Sequence, residues 1–242
     1  VGPGLGGLTR ELLDRGARVA AIEQDTTFVA YLKDRFASRD CDVVQGDAAA
    51  VHWHELIGDR PWKLVSNLPY SITSLALRKA LWAPRPADRV VVLVQREVAE
   101  RVVARNGKTS LLSLMVALAA SSARIVRRIS RGAFFPPPKV ESAILEVVPL
   151  SWPDRERRWV IDPEKIMQVA KLGFAHPRKQ LASNLTTDNQ PKTAFESVLR
   201  DLGLDSKVRA EDLSPDEWAQ LANRLNKIKN FRKNKTPVRK DP

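Results

Sequence analysis

Apolar positions along the chain fall into two regimes. Over roughly the first 150 residues, short apolar runs alternate with segments of helical period. Val19-Ala20-Ala21-Ile22 ending at Glu23, Val43-Val44 ending at Gly46-Asp47, Leu64-Val65-Ser66 ending at Asn67, and Val90–Val94 predict buried strands. Between them, Thr9–Arg15, Thr26–Ala37, Ser71–Leu81 and a segment from about Arg96 predict helices. Ser110–Ser121 reads as a long apolar helix, and Ala123–Ile129 and Val140–Val148 as late antiparallel strands. Strands alternating with helices predict an α/β fold with a doubly wound parallel sheet.

The second regime starts after Pro149. Pro153–Arg158 reads as a charged linker. From Asp162 the period is helical only, over about Pro163–Phe174, Arg178–Leu185, Thr193–Leu202 and Pro215–Leu225. The expected organisation is an α/β domain over 1–150, a small all-helical domain over 151–226 and a basic tail over 227–242. The tail has no periodicity and carries Lys227, Lys229, Arg232, Lys233, Lys235, Arg239 and Lys240.

Charge changes the picture more than composition does. The 242 residues carry a formal charge of +12 and a pI near 10.1, which points to a polyanionic partner. Residues 1–150 hold 21 basic and 15 acidic side chains, and the remainder 19 and 13, so the excess is spread along the chain. No lipidation motif or basic amphipathic helix favours a membrane, and no apolar run nears the ~20 residues of a span. The single cysteine, Cys41, allows no internal disulfide and fits a small core residue in a reducing cytoplasm. The chain opens on Val1-Gly2-Pro3-Gly4, with no methionine and no strand ahead of the glycines. A first strand and anything before it are therefore expected to be missing from this sequence.

Candidate chemistry collects at the predicted strand ends. Gly2, Gly4 and Gly7 satisfy the dinucleotide spacing, while Gly2, Gly4 and Gly6 satisfy a G-x-G-x-G nucleoside loop. Glu23 stands about where an acid meets ribose hydroxyls. Asp47 suits an adenine amino group, although a helix N-cap before Ala48 would also use it. These residues fit a nicotinamide enzyme and a methyltransferase equally. Asn67-Leu68-Pro69-Tyr70 separates the two, because an amide, a proline and an aromatic at a strand end suit a pocket that grips a flat nitrogen base. His52, His54 and His176 lie in predicted loops or the second domain, where a hydride-transfer relay is not expected. His52 and His54 lack a clustered third ligand, so no metal is expected.

Taken together, Gly2-Pro3-Gly4-x-Gly6-x-Leu8-Thr9, Glu23, Gly46-Asp47, Asn67–Tyr70 and Phe134-x-Pro136-Pro137-Pro138-Lys139-Val140-x-Ser142 resemble the ribosomal RNA adenine N6-dimethyltransferases. Arg178-Lys179-x-Leu181 and Arg209–Ser214 are similar to the helical-domain motifs of the small-subunit branch. The resemblance implies a Rossmann-like class I methyltransferase domain with a helical C-terminal domain, acting as a monomer. It implies S-adenosylmethionine held by Gly2, Gly4, Leu5, Glu23, Asp47 and Asn67. It implies an adenine held by Asn67, Leu68, Pro69, Tyr70 and Phe134. Phe135, beside a strand start, reads as a core aromatic. Small-subunit ribosomal RNA, in the immature subunit, would meet Arg96, Arg101, Arg105, Lys108, Lys139, Arg178, Lys179 and the tail. A large-subunit RNA methyltransferase of the resistance type and a non-catalytic nucleic-acid-binding factor are the alternatives on the same fold. The family's amino-terminal Gln/Asn-Phe-Leu motif and the acid before its first glycine are not in this sequence.

Overall fold

In the computed structural model, residues 1–104, 108–186 and 190–227 are described. Two compact units emerge: Val1–Val103 with Ala119–Ser151, and Ala104–Leu118 with the chain from Trp152 on. The second unit thus takes residues 104–118, which the sequence pattern assigned to the α/β domain. Leu111–Ala119 (α6) is apolar on every side, so its pattern shows that it is buried without showing in which unit.

The first unit begins with α1 (Gly7–Asp14), β1 (Val19–Glu23), α2 (Thr26–Arg35), β2 (Cys41–Gln45) and α3 (Trp53–Ile57). There follow β3 (Lys63–Asn67), a 3-10 turn over Tyr70–Ile72, α4 (Thr73–Leu81), β4 (Arg89–Gln95) and α5 (Arg96–Val103). It closes with β5 (Ala120–Ile129) and β6 (Ser142–Pro149). The sequence missed α3, whose five residues are too few to show a period. It also overran α6, because the chain passes from Ala119 directly into β5 with no turn residue to mark the change.

The strands form two ladders instead of one sheet. β1 pairs with β2 in parallel, and the other ladder runs in the order β3-β4-β6-β5. β3 and β4 are parallel, while β6 is antiparallel to both β4 and β5, as the late alternation predicted. Val1 and Gly2 lie between the ladders. The Gly2 N–H donates to the Ile22 carbonyl (2.9 Å), and Ser66 Oγ donates to the Val1 carbonyl (2.8 Å). The connection from β1 to β2 therefore leads away from this line on one side, and that from β3 to β4 on the other. Ligand crevices of open α/β sheets form outside the strand carboxyl ends at such a reversal.

Local chemistry explains the elements that frame this crevice. Asp25 caps α2 by accepting from the N–H groups of Thr27 (2.7 Å) and Phe28 (3.3 Å), worth about 1 kcal/mol. Leu13 of α1 joins Leu32 and Phe36 in a small core, with Val19, Cys41 and Val43 packed on it. Burial, then Asp42 and Asp40, push the Cys41 thiol up, which suits a packing residue better than a nucleophile. Gly6 has φ 76°, and a Cβ there would stand 2.8 Å from the Phe36 ring, so the loop needs glycine on both counts.

The second unit holds α6 up to Leu118, α7 (Trp152–Arg158), α8 (Pro163–Gly173), α9 (Leu181–Leu185), α10 (Lys192–Asp201) and α11 (Pro215–Asn226). The expected linker at 153–158 is the helix α7. Proline is tolerated in a first turn, and Asp154 early with Arg157 and Arg158 late suits the helix dipole. α9 starts three residues later than the sequence suggested, because a turn with Lys179 N–H donating to the His176 carbonyl precedes it. Ser214 and Glu217 form a capping box at α11. Trp218 stacks on Phe174 at 5.5 Å, and the absent side chain of Gly173 makes room for its indole.

Candidate active site

The parallel register brings the candidate residues to one edge. Glu23 ends β1 opposite Gln45, so Asp47, two residues on, follows at the same edge of β2. Asn67 ends β3 opposite Leu93 of β4. Gln95, two residues past Leu93, pairs with Ser142, and Ser142 also faces Ile129 across β6 and β5. The 130–141 connection, with Phe134, therefore rises from the edge that carries Asn67.

Glu23 Oε2 accepts from the Gly4 N–H at 3.4 Å, and Oε1 accepts from Gln24 N–H (2.8 Å) and Asp25 N–H (3.1 Å). The carboxylate is thus fixed against the glycine turn. Gly2 and Gly4 both take positive φ, and Gly2 runs within 3.6 Å of the Pro69 ring, measured from where a Cβ would sit. This close approach ties the glycine loop to the Asn67–Tyr70 segment. Leu5, at the tip of the loop, is 65% exposed. Asp47 is exposed, and its Oδ1 accepts from the Ala49 N–H at 2.8 Å. The turn at 48–50 is no helix, so the N-cap alternative reduces to a turn-stabilising bond.

Asn67 is exposed, whereas Leu68 is buried and its N–H donates to the Leu93 carbonyl (3.3 Å). The Leu68 side chain thus anchors the segment in the core beneath the presented amide. Tyr70 is half-buried, and its hydroxyl lies 2.6 Å from Ser142 Oγ, which is wholly buried. That bond links the strand-end motif to the base of the Phe134 connection. In the sequence Ser142 stands only as the last letter of the Phe134 motif; a serine at the start of a buried strand signals a polar partner, but not which one.

Phe134 is half-buried and extended, with its N–H donating to the Arg131 carbonyl (3.3 Å). Phe135 is fully exposed at 101%, which corrects its expected core position. Three prolines follow it, and the stretch that would carry a buried side chain begins only at Ser142.

The basic candidates divide. Arg96 pairs with Glu141 and with Glu100 (3.5 Å), Arg101 with Glu97, and Lys108 with Glu211. Lys139, Arg178 and Lys179 are exposed and form no ion pair among the described residues. Arg105 and the tail residues Lys229, Arg232, Lys233, Lys235, Arg239 and Lys240 lie outside the described residues. His54 sits in α3 and His52 caps it, rather than both lying in a loop.

Comparison with known proteins gives a consistent result. The sequence matches the family described as ribosomal RNA adenine dimethylase over residues 1–227. It is 38% identical over 224 residues to the ribosomal RNA small subunit methyltransferase A of Dehalococcoides mccartyi, covering 91% of this chain and 76% of that protein. It is 39% identical over 233 residues to the protein of the same name from Sphingopyxis alaskensis, covering 93% and 82%. A dimethyladenosine transferase from Plasmodium falciparum superposes with a TM-score of 0.72 at 23% identity, over 93% of this chain and 88% of that one. The 23S rRNA methyltransferase ErmE superposes with a TM-score of 0.62 at 26% identity and the same coverage.

Proposed function

Since the chain belongs to the ribosomal RNA adenine dimethylase family, we propose that it transfers methyl groups from S-adenosylmethionine to N6 of two adjacent adenines in small-subunit ribosomal RNA. One observation carries this most directly. The Asn67–Tyr70 segment is presented at the strand edge where the sheet order reverses, beside the glycine turn that Glu23 holds. We place the protein in the cytoplasm, acting as a monomer on immature small subunits.

The residues present suit the cofactor chemically. An adenosyl group offers two ribose hydroxyls and an amino group as donors, and Glu23 and Asp47 are carboxylate acceptors on neighbouring strand ends. Gly2, Gly4 and Leu5 would wall the cofactor, and Asn67 would close the site. The cofactor supplies a sulfonium methyl whose departure leaves a neutral thioether, so no covalent enzyme intermediate is required.

The chain's own task is to prepare the nucleophile. The N6 lone pair of adenine is delocalised into the ring. In this proposal the Asn67 side-chain carbonyl and the Leu68 backbone carbonyl accept the two N6 hydrogens in the first transfer, and one of them the remaining hydrogen in the second, which favours a pyramidal nitrogen with its lone pair free; the proton displaced at each transfer leaves to solvent. Pro69 fixes the backbone between them and has no N–H to compete. Tyr70, tethered through Ser142, and Phe134 stack on the two faces of a base drawn out of its helix. Catalysis is then chiefly orientation plus placed dipoles. The RNA backbone meets Lys139, Arg178 and Lys179 through phosphates, which position without reading sequence. The ion-paired Arg96, Arg101 and Lys108 can join once RNA displaces their surface acids.

The greater identity to the small-subunit relatives favours that RNA over the large-subunit alternative. Label transfer from methyl-tritiated cofactor to each ribosomal RNA, with Asn67→Ala as control, tests the choice. The proposal expects label in immature small-subunit RNA and none with the variant. Label confined to large-subunit RNA would support the alternative, and none in either would support a binding factor.

A further inference from the structure

A cavity of about 330 Å³ opens in the first unit, lined on one side by residues that follow the Asp47 turn. Three tryptophans, Trp53, Trp62 and Trp82, and three cations, Arg78, Lys79 and Arg85, line it, and none of its lining residues is acidic. His52 and His54 stand at its side, their rings 5.8 Å apart. Trp62 precedes β3 directly, while Asn67 ends that strand. The Trp62 part of the cavity thus lies at the opposite end of β3, roughly 16 Å from Asn67 at 3.3 Å per residue, while its Trp53 and Lys79 part is tied to the turn after Asp47 through the Ala48 and Val51 carbonyls.

The side chains are held in place. Lys79 Nζ donates to the Val51 carbonyl (2.7 Å) and sits 5.7 Å from the Trp53 ring centre. Arg78 lies 6.0 Å from that of Trp82. The half-buried Trp62 donates its indole N–H to the Arg85 carbonyl (3.2 Å), and the Arg85 guanidinium donates to the Asp59 carbonyl. Carbonyl partners satisfy a donor without cancelling charge, so Arg85 keeps its field, whereas Lys79 also feels the Asp47 carboxylate. Trp53 and Trp82 are buried with Lys79 and Arg78 against their rings, so the half-buried Trp62 is the indole that offers a face. A half-open recess of this size with one aromatic face and cations suits a ligand with a flat ring and an anionic group. A lipid headgroup or an acidic peptide would leave the Trp62 face without a ring to stack.

We propose that this cavity is a second RNA site, holding one unpaired nucleotide with its base against Trp62 and its phosphate towards Arg85 and Arg78. The proposal rests on the RNA partner inferred above. A charge excess spread along the whole chain fits an RNA that reaches both edges of the first unit.

The test uses the full chain and a short unpaired RNA carrying 4-thiouridine. Ultraviolet cross-linking with peptide mapping should place adducts within 52–62 or 82–85. In titrations, Trp62→Ala should weaken RNA binding at least about fivefold, the lower bound for one base–aromatic stack. Trp62→Phe should keep most of the affinity, and Arg85→Glu should weaken it while flattening its salt dependence. Cofactor affinity should not change in any of them, which also reports that the variant is folded. RNA bound and cross-linked only elsewhere, with Arg85→Glu neutral, would overturn the cavity assignment and leave the RNA partner standing. No RNA binding by the intact chain would overturn both. Saturable binding of adenosine monophosphate there, without any RNA adduct, would overturn RNA as the occupant.

Discussion

The bond between Tyr70 and Ser142 offers the sharpest perturbation. Tyr70→Phe keeps the ring and removes the hydroxyl. It leaves Ser142 Oγ, at 0% exposure, without the partner that lies 2.6 Å away. An orphaned buried hydroxyl costs about 1–3 kcal/mol. Ser142→Ala leaves the hydroxyl of the half-buried Tyr70, which water can reach, so its cost should sit near the ordinary net value of about 0.5–1.5 kcal/mol. The double variant removes both polar groups together and should cost less than the sum of the singles, with a coupling of about 1 kcal/mol. Denaturant midpoints at unchanged slope give the three differences. Methyl transfer should follow the same logic: Tyr70→Phe keeps a stacking face and loses its tether, whereas Tyr70→Ala loses both. Additive costs within about 0.3 kcal/mol would refute the claim that this bond ties the strand-end motif to the Phe134 connection.

Phe134→Ala should abolish most turnover while leaving cofactor affinity near normal; equal losses in both would show that Phe134 serves the cofactor instead. Gly6→Ala places a methyl 2.8 Å from Phe36 at φ 76° and should destabilise the fold by roughly 2–4 kcal/mol in denaturant titration, whereas a neutral result would contradict the packing described for the loop. For Glu146, burial pushes the carboxyl up, but hydrogen bonds from Arg89 and Arg124 outweigh it and hold it below the usual range. Its stabilisation is therefore complete above the ordinary glutamate value of about 4.3 and lost as pH falls through the lowered native one. Glu146→Gln should flatten the acid limb of a stability–pH curve, and an unchanged limb would contradict the assignment.

Much of this was legible because strand ends carry distinctive residues. Glu23, Asp47 and Asn67 could be placed at one edge from three apolar runs and the turn residues after them, and the register agrees. The reversal of strand order at Val1–Gly2 was not legible, since pairing is a long-range property. Neither was the loss of α6 to the second unit, because an all-apolar helix does not indicate what surrounds it. Phe135 misled for a local reason: beside Phe134 it looked like the one to bury, yet the three prolines leave it outside any element. Arg101–Glu97 and Arg96–Glu100 stand at helical i,i+4 spacing and were readable, whereas the pairs of Lys108 with Glu211 and of Arg96 with Glu141 were hidden because the partners are far apart in sequence. The tryptophan cavity went unread for the same reason. Trp53 opens α3, Trp62 precedes β3 and Trp82 follows α4, and only the fold sets them around one space.

The central claim is that Asn67 and its neighbours direct a methyl group onto N6 of adenine. Nucleoside mass spectrometry of small-subunit RNA, digested after reaction with the protein and S-adenosylmethionine, addresses it directly. The account predicts N6,N6-dimethyladenosine that is absent with Asn67→Ala; a methyl group on a ring carbon, on a ribose or on another base would contradict it.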